Sequence, residues 1–293
     1  MSRVKQPAKA GMESVNAIFD VGAGIPPRPE IVAQIQAEIG RAEPDSTRIE
    51  RLISADVGIS AALIKTINSP FYGLRVKASS VRLAISMLGM SQVGRVVTGI
   101  SLQKAFPGAV LPGMENFWEH SAELALVCSY IAKQMPGVNA DEAFTFGLFK
   151  NCGIPLMAGR FPAYRQTWEQ MSRNPEIRST DIETRAHNIS HAQVGSLLAK
   201  TWGLPESIVL AIRYHHDCDL LGNRSDQAAA HAQNLIALAL LAEYAIESHT
   251  GFYQTYDWIV WGDAAKDHFG ITDLEFEGVI HDVLDVLADA HTE

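Results

Sequence analysis

Six polar residues could combine into a site in this chain: one amine, one amide and four imidazoles. Lys150 and Asn151 stand side by side inside an apolar stretch, residues 140–157. A buried ammonium with no partner costs several kcal/mol, on the order of the penalty for any uncompensated charge away from water. The pair therefore faces a wet pocket or belongs to a polar network. His120 lies upstream, and His191, His215 and His216 lie downstream, as candidate partners. Imidazole is also the side chain that best holds borderline divalent cations. Taken one at a time, each histidine reads as a satisfied core or helix-end residue. Cys152 follows Asn151 directly, and a cysteine in an apolar helix reads as packing. The chain contains no GxSxG nucleophile elbow and no phosphate-cradling glycine loop.

The bulk composition limits what surrounds these residues. With 293 residues, 47% hydrophobic and 19% charged, the chain can bury one large or two medium cores. Its net charge of −9 is unevenly spread: 13 basic and 9 acidic residues up to Glu115, then 11 basic and 24 acidic. That asymmetry predicts two domains. It also argues against binding phosphate backbones over the whole surface. Lys65, Arg75, Lys77, Arg82 and Arg95 make the first half mildly basic without any recognition motif, so nucleic acid is not an expected partner. Cys128, Cys152 and Cys218 are far apart and form no CxxC pair, which predicts neither disulfides nor a zinc knuckle. Residues 1–11 lack the apolar core of a signal peptide, and no apolar run is read as long enough to span a bilayer. A reduced, cytoplasmic protein away from membranes is expected.

The elements that must position the site read as helices throughout, so the predicted fold is all-α. Pro29 suits the first turn of a helix whose Ile31, Ile35 and Ile39 form one stripe. Asp56 precedes a helix carrying Ile59, Leu63, Ile64 and Ile67, and Asn68-Ser69-Pro70-Phe71-Tyr72-Gly73 stops it. Ser79-Ser80 caps a helix that Gly89 ends. Pro107-Gly108 and Pro112-Gly113 form the best linker. Residues 140–157 read as one buried helix that Pro155 should kink or end. Ser190 and Gln193 have capping-box spacing, which puts His191 in the first turn of a helix through Trp202. His215 and His216 then close the helix that Pro205 starts. A polar loop is expected at 217–226, then an Ala/Leu-rich core helix from Gln227 to about Glu247. A final helix is expected at about residues 273–290. The expected division is a flexible lead at 1–17, a helical bundle at 18–110, a second helical domain at 111–250 and a helical extension at 251–293.

Ile25-Pro26-Pro27, Ile53-Ser54-Ala55-Asp56, Asn68-Ser69-Pro70-Phe71-Tyr72-Gly73 and Ala84-Ile85-Ser86-Met87-Leu88-Gly89 together resemble the successive signatures of the HDOD (HD-related output domain) family. Val57 departs from it, standing where that family commonly has proline. The resemblance implies an N-terminal helical bundle packed on an HD-like domain, a degenerate relative of HD-type metal-dependent phosphohydrolases. In those enzymes a histidine precedes a central His-Asp pair, and later helices add further histidines. Here the outer positions match His120, His191 and His215 or His216, while Lys150 and Asn151 occupy the centre. Asparagine is a poor bridging ligand, and lysine repels a cation. The resemblance therefore implies one shared but degenerate pocket of His120, Lys150, Asn151, His191, His215 and His216, with no catalytic residue, metal or cofactor. The expected function is non-catalytic bacterial signal transduction through a protein partner or a small anionic ligand. The alternative is a phosphohydrolase with an altered metal site.

Overall fold

The computed structural model describes residues 24–69, 72–106, 111, 114–217, 227–250 and 255–291. The expected lead at 1–17, Pro70 and Phe71, Cys218, and nearly all of the linker at 107–113 and the loop at 217–226 lie outside them. The described residues form helices and no strand: α1 (Glu30–Ile39), α2 (Ser46–Ser54), α3 (Val57–Ile67), α4 (Val81–Leu88), α5 (Met90–Lys104), α6 (Phe117–Ala132), α7 (Ala140–Phe149), α8 (Gly153–Arg160), α9 (Tyr164–Arg173), α10 (Ser179–His187), α11 (His191–Thr201), α12 (Glu206–Tyr214), α13 (Gln227–Thr250), α14 (Tyr256–Phe269) and α15 (Asp273–His291). They fall into two compact units, residues 28–107 with 280–293, and residues 108–279 with the segment ending at Pro27.

In the first unit, local capping starts the helices and an isoleucine-rich core joins them. Asp45 Oδ1 accepts from the Thr47 amide at 2.8 Å, Asp56 Oδ1 from Ile59 at 2.9 Å and Ser80 Oγ from Leu83 at 3.2 Å. Each satisfies a first-turn N–H that the helix itself cannot. Ile35, Ile49, Ile53, Leu63, Ile67, Val93 and Val97 then share one buried cluster. Asn68 does more than end α3. Its amide donates to the Ala78 carbonyl at 2.8 Å and accepts from the Ala78 N–H at 2.7 Å.

The second unit is built around α13, which packs on α6, α7, α12 and α14. Leu235, Ile236, Leu238, Leu240 and Leu241 are all buried, as expected of a helix apolar on every side. Residues Gln227–Ser248 reach a mean hydropathy of 1.2, long and apolar enough to cross a membrane, although 72% of that window is buried inside the fold. That corrects the expectation that no run has such a length. The alanines let neighbouring helices close in while the leucines fill the spaces, so the same composition serves a protein core.

The stretch expected as one helix is two. α7 ends at Phe149, Lys150 caps it, and Asn151 and Cys152 make the turn into α8. The break precedes Pro155, which sits in the first turn of α8, where its missing N–H costs nothing. Two glycines permit the packing on either side of the turn. A Cβ on Gly147 would lie 2.8 Å from Ala125 Cα on α6, and one on Gly153 would lie 2.0 Å from the His191 carbonyl oxygen on α11.

Gly153→Ala should therefore force backbone apart and lower stability by about 3 kcal/mol, at the upper end for overpacking. Gly159→Ala, on the same helix with nothing within 4 Å of the new methyl, should be neutral or stabilising by up to about 1 kcal/mol. Urea denaturation of the two variants beside the unmodified chain measures both.

Candidate functional site

His191 opens α11 and is set by α10. The Glu183 carboxylate is fully buried. It accepts from the His191 amide at 2.8 Å, from His191 Nδ1 at 2.7 Å and from the Tyr164 hydroxyl. Burial alone would raise its pKa, but His191 and Tyr164 hold the carboxyl below its usual value. His191 is held below the usual histidine value by burial, against the pull of Glu183. The pair is thus a carboxylate and a neutral imidazole whose Nδ1 carries the proton.

His215 and His216 follow the last turn of α12. His215 Nδ1 donates to the Ile212 carbonyl at 2.8 Å, and burial, followed by its His216 and Lys150 neighbours, drives its pKa well down. His216 Nδ1 donates to Asp257 Oδ2 on α14 at 2.5 Å. Every Nδ1 partner is a carboxylate or a carbonyl, which can only accept. On a neutral ring this arrangement leaves the lone pair on Nε2. Those three atoms converge: His191 Nε2 is 3.3 Å from His215 Nε2 and 3.1 Å from His216 Nε2. Ser179 Oγ lies 3.2 Å from His216 Nε2.

Three converging lone pairs suit one cation. Ligands about 2.1 Å from a zinc-like ion stand roughly 3.0–3.4 Å apart, which matches the two separations measured from His191. The Nδ1–H to carboxylate contacts of His191 and His216 are those that fix ring orientation in metal sites. Asp257 Oδ1 is buried without a hydrogen-bond partner. His191, His215 and His216 therefore fit a single borderline divalent ion. They do not reproduce a two-metal centre.

Lys150 belongs to a second arrangement. It is 5% exposed, and its ammonium lies 2.5 Å from Glu243 Oε1 on α13. Burial opposes its charge, yet Glu243 carries its pKa above the ordinary lysine value. The charge of Lys150 is felt at His191, His215 and Asp257. Its partner is a glutamate, where the sequence suggested histidines. Asn151 is half-buried in the α7–α8 turn, its carbonyl accepting from Ile154 at 2.9 Å. His120 is not one of the three converging histidines, but it feels the charges of both Glu243 and Lys150. Its side chain is 49% exposed and lies 3.7 Å from Glu123, and Glu123, opposed by burial and aided by Glu243, raises its pKa. Cys152 is buried, with Sγ 3.8 Å from the Gly195 carbonyl, and burial pushes its thiol pKa up. It packs between α8 and α11.

Glu183, Glu243 and Asp257 escaped the sequence reading. Glu243 left a signal, as a lone acid within an Ala/Leu-rich helix that could answer the lone buried lysine. Asp257 left a weaker one, two residues after Thr255, whose side chain caps α14.

Residues 25–218 match the HDOD domain family. An uncharacterized protein of Treponema pallidum (strain Nichols) is 24% identical over 198 residues, 66% of this chain and 38% of that protein; the chain thus spans well under half of that relative's length. An HDOD domain protein of unknown function from Geobacter sulfurreducens superimposes with a TM-score of 0.74 at 21% identity, covering 97% of this chain and 96% of that one. A Shewanella amazonensis SB2B protein provisionally named a phosphohydrolase gives 0.72 at 18% identity, with 96% of each chain covered. At these identities the likeness is one of fold. The family match includes Lys150 and the three clustered histidines and ends before Glu243 and Asp257.

Two measurements probe the acid–lysine arrangement. Lys150→Met should leave the chain folded but destabilised by about 3 kcal/mol, because Glu243 then keeps a charge without its partner. Adding Glu243→Leu should recover much of that loss, and a double-mutant cycle reads the coupling. Glu247, one turn from Glu243, has a pKa raised to about 7, first by burial and then by the Glu243 charge. Between pH 4.5 and 7 the unfolded chain releases this proton while the folded one keeps it, so stability falls as pH rises across that window. Glu247→Gln should match the unmodified chain in melting temperature at pH 4.5 and exceed it at pH 8.

Proposed function

The chain belongs to the HDOD family, and from that premise we propose that it is a non-catalytic bacterial signal-transduction module that works by binding a protein partner. Lys150 carries this reading. Where the resemblance to HD-type phosphohydrolases calls for the His-Asp pair that anchors the metals, this chain has an ammonium committed to Glu243. A phosphoryl-transfer centre needs a cation that lowers the pKa of water and leaves an open face for the ester. An ion held by His191, His215 and His216 would lie among side chains of which the first two are 2% and 1% exposed. That burial suits a bound ion that stabilises or signals better than one that meets substrate. Because Glu243 already balances Lys150, a protein partner is favoured over a small anionic ligand.

The convergence of three Nε2 atoms is the one observation that favours the alternative, a phosphohydrolase with an altered metal site. Phosphodiesterase and nucleotidase assays of the full chain with manganese, iron, nickel and zinc separate the two. Turnover should stay at background with every metal. A metal-dependent rate that disappears in both His191→Ala and His215→Ala would overturn the regulatory reading.

A further inference from the structure

Asp257 lies on α14, beyond the residues that match the family. Its Oδ2 accepts the Nδ1 proton of His216 at 2.5 Å, and its Oδ1 is buried with no partner. Thr255 Oγ1 caps α14 by accepting from the Trp258 amide. The Tyr256 amide donates to the Pro175 carbonyl at 2.9 Å, and the Arg178 guanidinium lies 5.4 Å from the centre of the Tyr256 ring. One residue further on, the Trp258 ring stacks on Tyr244 of α13 at 4.0 Å. The first turn of α14 thus touches the segment before α10, the end of α12 and α13, and its one charged contact with the histidine cluster is Asp257.

We propose that Asp257 is a positioning residue for a single divalent ion on His191, His215 and His216, and that through it ion binding and the docking of α14 are one coupled equilibrium. The Asp257 carboxylate holds the His216 ring edge-on to that of His191, with the two Nε2 atoms 3.1 Å apart, so an undocked α14 leaves a two-histidine site. In the opposite direction, an ion that draws electron density from the His216 ring strengthens the Nδ1–H to carboxylate bond. It thereby fastens the first turn of α14. Coupling of this kind is reciprocal: the factor by which docking tightens the ion is the factor by which the ion tightens docking. Loss of such an orienting carboxylate weakens metal binding by about 10–100-fold. The helical extension would then be the part of the chain that reports the ion. This extends the regulatory reading by naming its input, but does not need that reading to be correct, since it concerns binding alone.

Full-length protein stripped with chelator and titrated with zinc or nickel provides the test. Equilibrium dialysis should find one ion per chain, and hydrogen exchange should slow at least tenfold over residues 256–262 when the ion is added. Asp257→Ala should weaken ion binding about 10–100-fold and abolish the added protection. Asp257→Asn, which keeps an acceptor for His216, should recover part of both. His216→Ala should remove the ion effect on α14, leaving its exchange at the ion-free rate. Absence of ion binding by the unmodified chain would overturn the proposal, while background turnover in the assays above would still favour the regulatory reading. Ion binding that leaves α14 exchange unchanged, or equal affinity in Asp257→Ala, would also overturn it. The exchange comparison on the unmodified chain decides the matter even if a variant fails to fold.

Discussion

The second unit depends on a carboxylate that water cannot reach. Glu183 is fully buried, and an ionised carboxylate in that position is tolerable only when its oxygens are filled. Tyr164 from α9 and both the amide and the ring of His191 from α11 fill them. Two helices are thereby fixed by one residue of a third, α10. The ring of His191 has its tautomer and direction set before any ligand arrives. Gly153 completes the arrangement by letting α8 lie against the same turn of α11. Replacing Glu183 would thus disturb helix packing and ring orientation together.

Two charge arrangements stand side by side within this frame. One is the Lys150–Glu243 pair, a cation supplied by the chain and neutralised by the chain. The other is the histidine cluster, three imidazoles whose ligand atoms lie within 4.8 Å of one another. The field of Lys150 would repel an ion at the histidines, and Glu243 offsets that field. A lysine in place of a ligand therefore need not empty the neighbouring site.

Much of the helical order could be read from local chemistry. Asp56, Ser80 and Asn68 announce helix ends because a short polar side chain next to an apolar stripe has few other uses. His191, His215 and His216 were brought together by spacing and resemblance, and they do meet. His120 matched the same pattern; from the first turn of α6 it joins the charges of Glu243 and Lys150 rather than the three converging rings. α10 gives no comparable signal, because in Ser-Thr-Asp-Ile-Glu-Thr-Arg-Ala-His only Ile182 and Glu183 are buried. That leaves no apolar stripe to detect. The burial of Glu183 comes from partners 19 and 8 residues away, and no local pattern encodes it. The same holds for Glu243, which lies 93 residues from Lys150.

The paired hydrogen bonds between the Asn68 side chain and the Ala78 backbone imitate one rung of a β-ladder. They close the intervening chain into a loop with a fixed stem, so α4 begins in the same place whatever the loop contains. Doubling the length of a flexible loop adds only about 0.6 kcal/mol of closure entropy. Val76 is 65% exposed, while Tyr72 and Leu74 of the same loop pack against the isoleucine-rich cluster. Drift in composition is thus expected at an exposed position such as Val76, whereas Tyr72 and Leu74, which pack on the core, are held with the framework.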